Sequence, residues 1–128
     1  MEDIDGNSYI EGMSGLWCAS LGFGENELIE AAVKQMRKLP YYHSFTGKTC
    51  EATIKLSEKL IEIAPNNLKK VFFCNSGSEA NDTAIKIVWY YHSSLGNPKK
   101  RKIISRKGSY HGVTLAAASL TALDYAQK

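Results

Sequence analysis

Residues 75–78, Asn75-Ser76-Gly77-Ser78, are small and polar, and they stand between an aromatic run, Phe72-Phe73-Cys74, and a stretch of helical character from about Ser78. A turn of this composition can hold a phosphate. Gly77 has no Cβ and lets a ligand touch the backbone. The first amides of a helix have no internal acceptor and carry the positive end of its dipole. Ser76 and Ser78 add hydroxyl donors at the same place. The dipole alone contributes about 0.3–2 kcal/mol, so direct hydrogen bonds must carry most of the affinity. Taken alone, the stretch suits a second reading equally well: Ser78 caps the helix and Gly77 makes a tight turn. Other chemistry is sparser. Tyr110, by itself, reads as a half-buried core aromatic. His43 and His92 have no partners at ligand spacing, and Cys18, Cys50 and Cys74 lie far apart with no CxxC pair, which suggests neither a zinc site nor a disulfide framework. Thr46 to Thr49 spell TGKT, the tail of a phosphate loop, but the required upstream glycine position is Tyr42.

The elements that must position these residues alternate. Asp5-Gly6-Asn7 is turn chemistry between two short apolar stretches and predicts a hairpin at the start of the chain. Residues 12–24 carry four glycines and no charge, which suits a packed loop. Leu28, Ile29, Ala32, Val33, Met36 and Leu39 recur at helical spacing until Pro40. A second helix is predicted over about 49–64, with Thr49 as its cap and Pro65 beyond its end. A strand at about 70–74, a helix at about 78–94, a strand at about 102–106 and a helix over 113–122 follow. That order predicts an α/β fold with parallel strands and a right-handed crossover.

A chain of 128 residues is the size of one domain and would bury roughly two thirds of its unfolded surface. The net charge of +3 comes from Lys99, Lys100, Arg101 and Lys102, without which the balance falls to −1. One local cluster is a solvated lead-in to a strand, not the spread basic face of a nucleic-acid binder. The acidic N-terminus has no apolar signal region and no apolar run approaches membrane-spanning length, so the expectation is a soluble protein of a reducing compartment, cytoplasmic, with no membrane partner.

Three motifs in register, NSGSEAND at 75–82, GSYHG at 108–112 and GLWC at 15–18, closely resemble the class III, pyridoxal-phosphate-dependent aminotransferases of fold type I, and within them the ω-amino acid or amine:pyruvate transaminases. The resemblance runs across nearly the whole chain. It implies that Ser76, Gly77 and Ser78 hold the phosphate of pyridoxal 5′-phosphate, that Tyr110 stacks on its ring with His111 beside it, that Trp17 lines the substrate entrance, and that Phe45 reaches towards a neighbouring subunit's pocket in a homodimer. Trp17 and Phe45 also suit ordinary hydrophobic filling. Glu79 and Asp82 read as structural, since their charge would repel a phosphate and suits a first helical turn.

The implied reaction moves an amino group from an amine or ω-amino acid to a keto acid such as pyruvate, by ping-pong covalent catalysis on the cofactor. The lysine that bonds the cofactor and the acid that pairs with its pyridine nitrogen lie downstream of the YHG motif in that family, and no lysine of this chain matches. The chain therefore reads as an N-terminal piece with no catalytic residue of its own, with residues 1–24 in the small-domain region and 25–128 opening the cofactor-binding large domain. In fold type I the strands at 70–74 and 102–106 are separated by strands from later in the chain, so edges and apolar faces would be left uncovered. Rival readings are a class III member acting on ornithine, diamines or aminolevulinate precursors, a noncatalytic binder of the same cofactor, and a phosphosugar-binding α/β module.

Overall fold

Turn chemistry at Asp5-Gly6-Asn7 closes the first element. In a computed structural model of the chain, which describes residues 1–126, Glu2 and Ser8 form an antiparallel bridge. The Asp3 carboxylate accepts from the amides of Asp5 and Asn7 at 3.0 and 2.9 Å, from the Asn7 side chain at 2.9 Å and from the Tyr9 hydroxyl at 2.9 Å. The hydrogen bonds from Asn7, foremost among these, hold its pKa at about 2.

The glycine-rich loop contains one ordered piece, α1 (Ser14–Trp17). All four of its residues have positive φ, and Gly15 and Leu16 lie at φ/ψ of 58/47° and 59/49°. It is a single left-handed turn. Three of the four carry side chains, so it costs roughly 3–6 kcal/mol at ~1–2 kcal/mol each. Next comes α2 (Asn26–Lys38), capped by Glu25, whose carboxylate accepts from Glu27 N at 3.3 Å. The third helix, α3 (Glu51–Ile63), begins two residues after the expected cap. Cys50 stands in the cap position, its carbonyl taking the first intrahelical bond from Ile54 N at 3.2 Å, while the Thr49 hydroxyl pairs with Ser44. Glu51 ties the two helices together: Lys38 at the end of α2 and Lys55 on α3 both reach its carboxylate.

α4 (Gly77–Ser94) and α5 (Leu115–Leu120) pack together in the second half of the chain. Two compact units, Met1–Lys59 and Leu60–Lys128, divide the molecule. Among the described residues, none belongs to a strand ladder, and no hydrogen bond joins 70–74 to 102–106. The strand, helix, strand order therefore does not become a paired sheet here, which agrees with the resemblance: the strands that fold type I inserts between these two are not among the described residues. A lone strand has no ladder to satisfy its amides.

Burial is correspondingly thin. Ile85, Gly112, Ala117 and Thr121 alone are buried among the described residues. A folded monomer of this mass would expose roughly 6,800 Å², and the chain exposes 11506 Å². The apolar face of α2 illustrates the deficit, with Leu28, Ile29 and Met36 all exposed despite their helical register. No helix among the described residues is long and apolar enough to cross a membrane.

Candidate functional site

Ser76, not Ser78, caps α4. Its extended backbone (φ −156°, ψ 161°) precedes the helix and its hydroxyl accepts from Glu79 N at 3.1 Å. Glu79 answers by taking Asn75 N on its carboxylate at 2.9 Å, a capping box shifted one residue outward. The sequence S-x-x-E at 76–79 is the signal for it. With the cap placed there, Gly77 and Ser78 are the first two helical residues, and their amides find no acceptor among the described residues. A Cβ built at Gly77 meets nothing within 4 Å. The helix mouth thus presents two amides without an acceptor among the described residues, with open space at Gly77.

Ser78 has a second task. Its hydroxyl accepts from Val113 N at 3.0 Å, and its carbonyl accepts from the Thr114 hydroxyl at 3.3 Å. Gly112, at φ 130°, presses against it: a Cβ there would collide with Ser78 Oγ and stand 2.9 Å from its Cα and Cβ. Glycine is required at 112 on both counts. Each serine hydroxyl, at 76 and 78, accepts one bond from a backbone amide and keeps its own proton to donate.

The GSYHG loop is held from three sides. Asn81 on α4 donates from Nδ2 to His111 O at 2.6 Å. His111 N donates to the buried Thr121 hydroxyl at 3.0 Å, which in turn donates to Gly112 O at 3.0 Å. Ala122 N reaches Ser109 O, and Gly108 N reaches Ala122 O, both at 2.9 Å. His111 thus serves through its backbone. Tyr110 lies two peptide units from Gly112, so its Cα is within about 7.6 Å of Gly112 Cα, beside the Ser78 end of α4, and the residue is 60% exposed.

The acids are turned to structural work. Asp82 Oδ1 accepts from the Thr114 hydroxyl at 2.8 Å and from Ala117 N at 2.9 Å, anchoring the first turn of α5. Glu79 is engaged by Asn75. A cleft of about 330 Å³ beside them is lined by Phe72, Phe73, Glu79, Asp82 and Thr114. Its carboxylates make it unsuited to an anion. Sequence reasoning missed Asn81 and Thr121 as supports of the loop: Asn81 lies within NSGSEAND, but its contact with His111 is 30 residues distant, and Thr121 lies in no quoted motif.

In the first unit, Trp17 ends the left-handed turn and is 77% exposed, and Phe45 is equally exposed in a loop where its amide donates to His43 Nδ1 at 3.2 Å. Ser76, Gly77, Ser78, Tyr110 and His111 belong to the second unit; Trp17 and Phe45 belong to the first.

The geometry has close counterparts. The family described as aminotransferase class III matches residues 1–128. Vanillin aminotransferase of Capsicum frutescens is 51% identical over 122 residues, 94% of this chain and 27% of that protein. The mitochondrial gamma-aminobutyrate transaminase 1 of Oryza sativa subsp. japonica is 49% identical, with 94% and 24% covered. Among solved structures, the omega transaminase from Pseudomonas jessenii in complex with PMP superposes with a TM-score of 0.94 at 54% identity, over 99% of this chain and 28% of that one. The PMP-bound aminotransferase from Vibrio fluvialis gives 0.93 at 45%, over 98% and 28%. The chain spans about a quarter of the length of the curated relatives it matches. Its fold is a portion of the fold type I architecture, and the cofactor of such enzymes is pyridoxal 5′-phosphate. On the whole-length family match and these identities, the chain belongs to the class III aminotransferases.

Proposed function

We propose that this chain is the phosphate-holding part of an ω-transaminase that moves an amino group from an amine or ω-amino acid to a keto acid such as pyruvate. The observation that carries the reading is the pair of amides at Gly77 and Ser78 that find no acceptor among the described residues, at the start of an eighteen-residue helix with open space at Gly77. Residues present here fit pyridoxal phosphate. The two amides and the Ser76 and Ser78 hydroxyl protons would bind its phosphate, and the Tyr110 ring would restrict the tilt of its pyridine. When bound, the cofactor supplies an electron sink for the reacting carbon. Charge-assisted bonds to a phosphate are about twice as strong as neutral ones, so the site orients the cofactor as well as retaining it. Trp17 and Phe45 would shape the approach of the amine.

The complete enzyme is expected to be yellow, to lose that absorbance band on borohydride reduction, and to convert an arylalkylamine and pyruvate to ketone and alanine. A colourless protein, or one without turnover on any amine, would contradict the proposal. A second reading is favoured by the 49% identity with the rice gamma-aminobutyrate transaminase: an ω-amino acid, not a simple amine, is the donor. The ratio of kcat/KM for the two donor types decides between them.

We further read the enzyme as cytoplasmic and homodimeric, with 1–24 in a small domain and 25–128 in the large one. Three free cysteines suit a reducing compartment, and the exposed Phe45 suits an interface. Cell fractionation and sedimentation velocity test these points.

A further inference from the structure

Four consecutive residues with positive φ, Ser14, Gly15, Leu16 and Trp17, make α1 the least favourable stretch of backbone in the first unit. Such a turn persists where its surroundings over-determine it. Two contacts do so. The Glu11 carboxylate takes Met13 N on one oxygen at 3.0 Å and Gly15 N on the other at 2.9 Å. The Phe23 ring lies against Gly15, close enough that a Cβ there would stand 3.0 Å from it. Burial does not help, since Leu16 and Trp17 are 62% and 77% exposed. Within these residues the direction in which the indole leaves the chain follows the handedness of the turn, which Glu11 and Phe23 hold.

We propose that Glu11 is a positioning residue for transamination: by bridging the Met13 and Gly15 amides it holds the left-handed turn that presents Trp17 to the amine substrate. This rests on the substrate-side role of Trp17 given above. A carboxylate suits the task because both oxygens accept and neither donates. Glutamine keeps one acceptor and turns an NH2 towards the other amide, so one of the two bonds is lost.

The test uses the complete holoenzyme. E11Q, W17A and the E11Q/W17A double variant are compared for kcat and KM with a bulky arylalkylamine and a small amine at saturating pyruvate. E11Q should lower kcat/KM for the bulky amine by about tenfold, the effect of one lost charge-assisted bond. It should change the small amine by less than about twofold on the same scale, keep the cofactor absorbance band, and add nothing in the W17A background. Leu16→Gly, which relieves the side-chain cost of positive φ, should restore part of the donor preference to E11Q, and it keeps the test alive if E11Q alone folds poorly. Additive losses in the double variant, equal losses with both amines, or no rescue by Leu16→Gly would overturn the inference. If W17A leaves the donor ratio unchanged, the reading of Trp17 fails and the inference with it. If W17A moves the ratio and E11Q does not, that reading survives and Glu11 falls.

Discussion

At the scale of single residues, the site turns on which atoms are already spoken for. Ser76 and Ser78 accept backbone amides from Glu79 and Val113, so each hydroxyl has one proton and one fixed orientation to offer. Ser78→Ala should therefore weaken cofactor retention and also loosen the 112–114 backbone, lowering affinity in an absorbance titration by roughly tenfold for one lost charge-assisted bond. Gly112→Ala combines a Cβ at φ 130° with collision against Ser78. It should destabilise the complete enzyme by about 2–5 kcal/mol, read as a fall in Tm, and an unchanged Tm would remove the close approach from the account. The small polar knot at 75–78 suited an anion site and a helix cap equally from type alone, and the motifs in register favoured the anion. The cap was read at Ser78 and stands at Ser76, which the S-x-x-E spacing at 76–79 marks and composition alone does not.

At the scale of elements, half-buried and exposed charges do different work. Asp82 joins α4 to α5 by holding the Thr114 hydroxyl and Ala117 N. Asp82→Ala should cost about 1–3 kcal/mol through the orphaned Ala117 amide, the Thr114 hydroxyl keeping Ser78 O as acceptor, with hydrogen exchange rising at 114–117 before it rises in α4. Glu51 joins α2 to α3 in the open. The hydrogen bond from Lys38, then that from Lys55, holds its pKa at about 2, below the usual glutamate value of about 4.3. The stabilisation is therefore complete above about pH 4.3 and is lost as pH falls through about 2. It is also screened by salt. A carbon-detected NMR titration of the Glu51 carboxyl should show the depressed midpoint, and the Lys38→Ala/Lys55→Ala variant should return it towards the ordinary range. Helical spacing located α2, α3 and α4 to within a residue or two, because 3.6-residue periodicity is a local property. α5 is shorter than the predicted 113–122, because Thr121 is drawn into the loop network and Ala122 pairs with Ser109.

At the scale of the whole molecule, a surface of 11506 Å², against roughly 6,800 Å² for a folded monomer of this size, says that most apolar faces have no partner within these residues. The 128-residue chain by itself should bind a hydrophobic dye and show no sharp melting transition in calorimetry; a cooperative monomeric transition would contradict this. The segments at 70–74 and 102–106 explain why the sheet was legible only in part. Val71, Phe72 and Phe73, or Ile103 and Ile104, advertise strands by composition, but pairing depends on neighbours that local pattern does not name. Family membership is secure at this scale, and the claim that remains central is narrower: the free amides of Gly77 and Ser78 grip the cofactor's phosphate. The most direct measurement is the ratio of dissociation constants for pyridoxal and pyridoxal 5′-phosphate in the complete enzyme, wild type against Gly77→Val, whose side chain enters the open space above the helix mouth. The account predicts a wild-type preference for the phosphate form of about a hundredfold or more, equivalent to two or more charge-assisted hydrogen bonds, and a collapse of that ratio in Gly77→Val with pyridoxal affinity little changed. An undiminished ratio in the variant would contradict it.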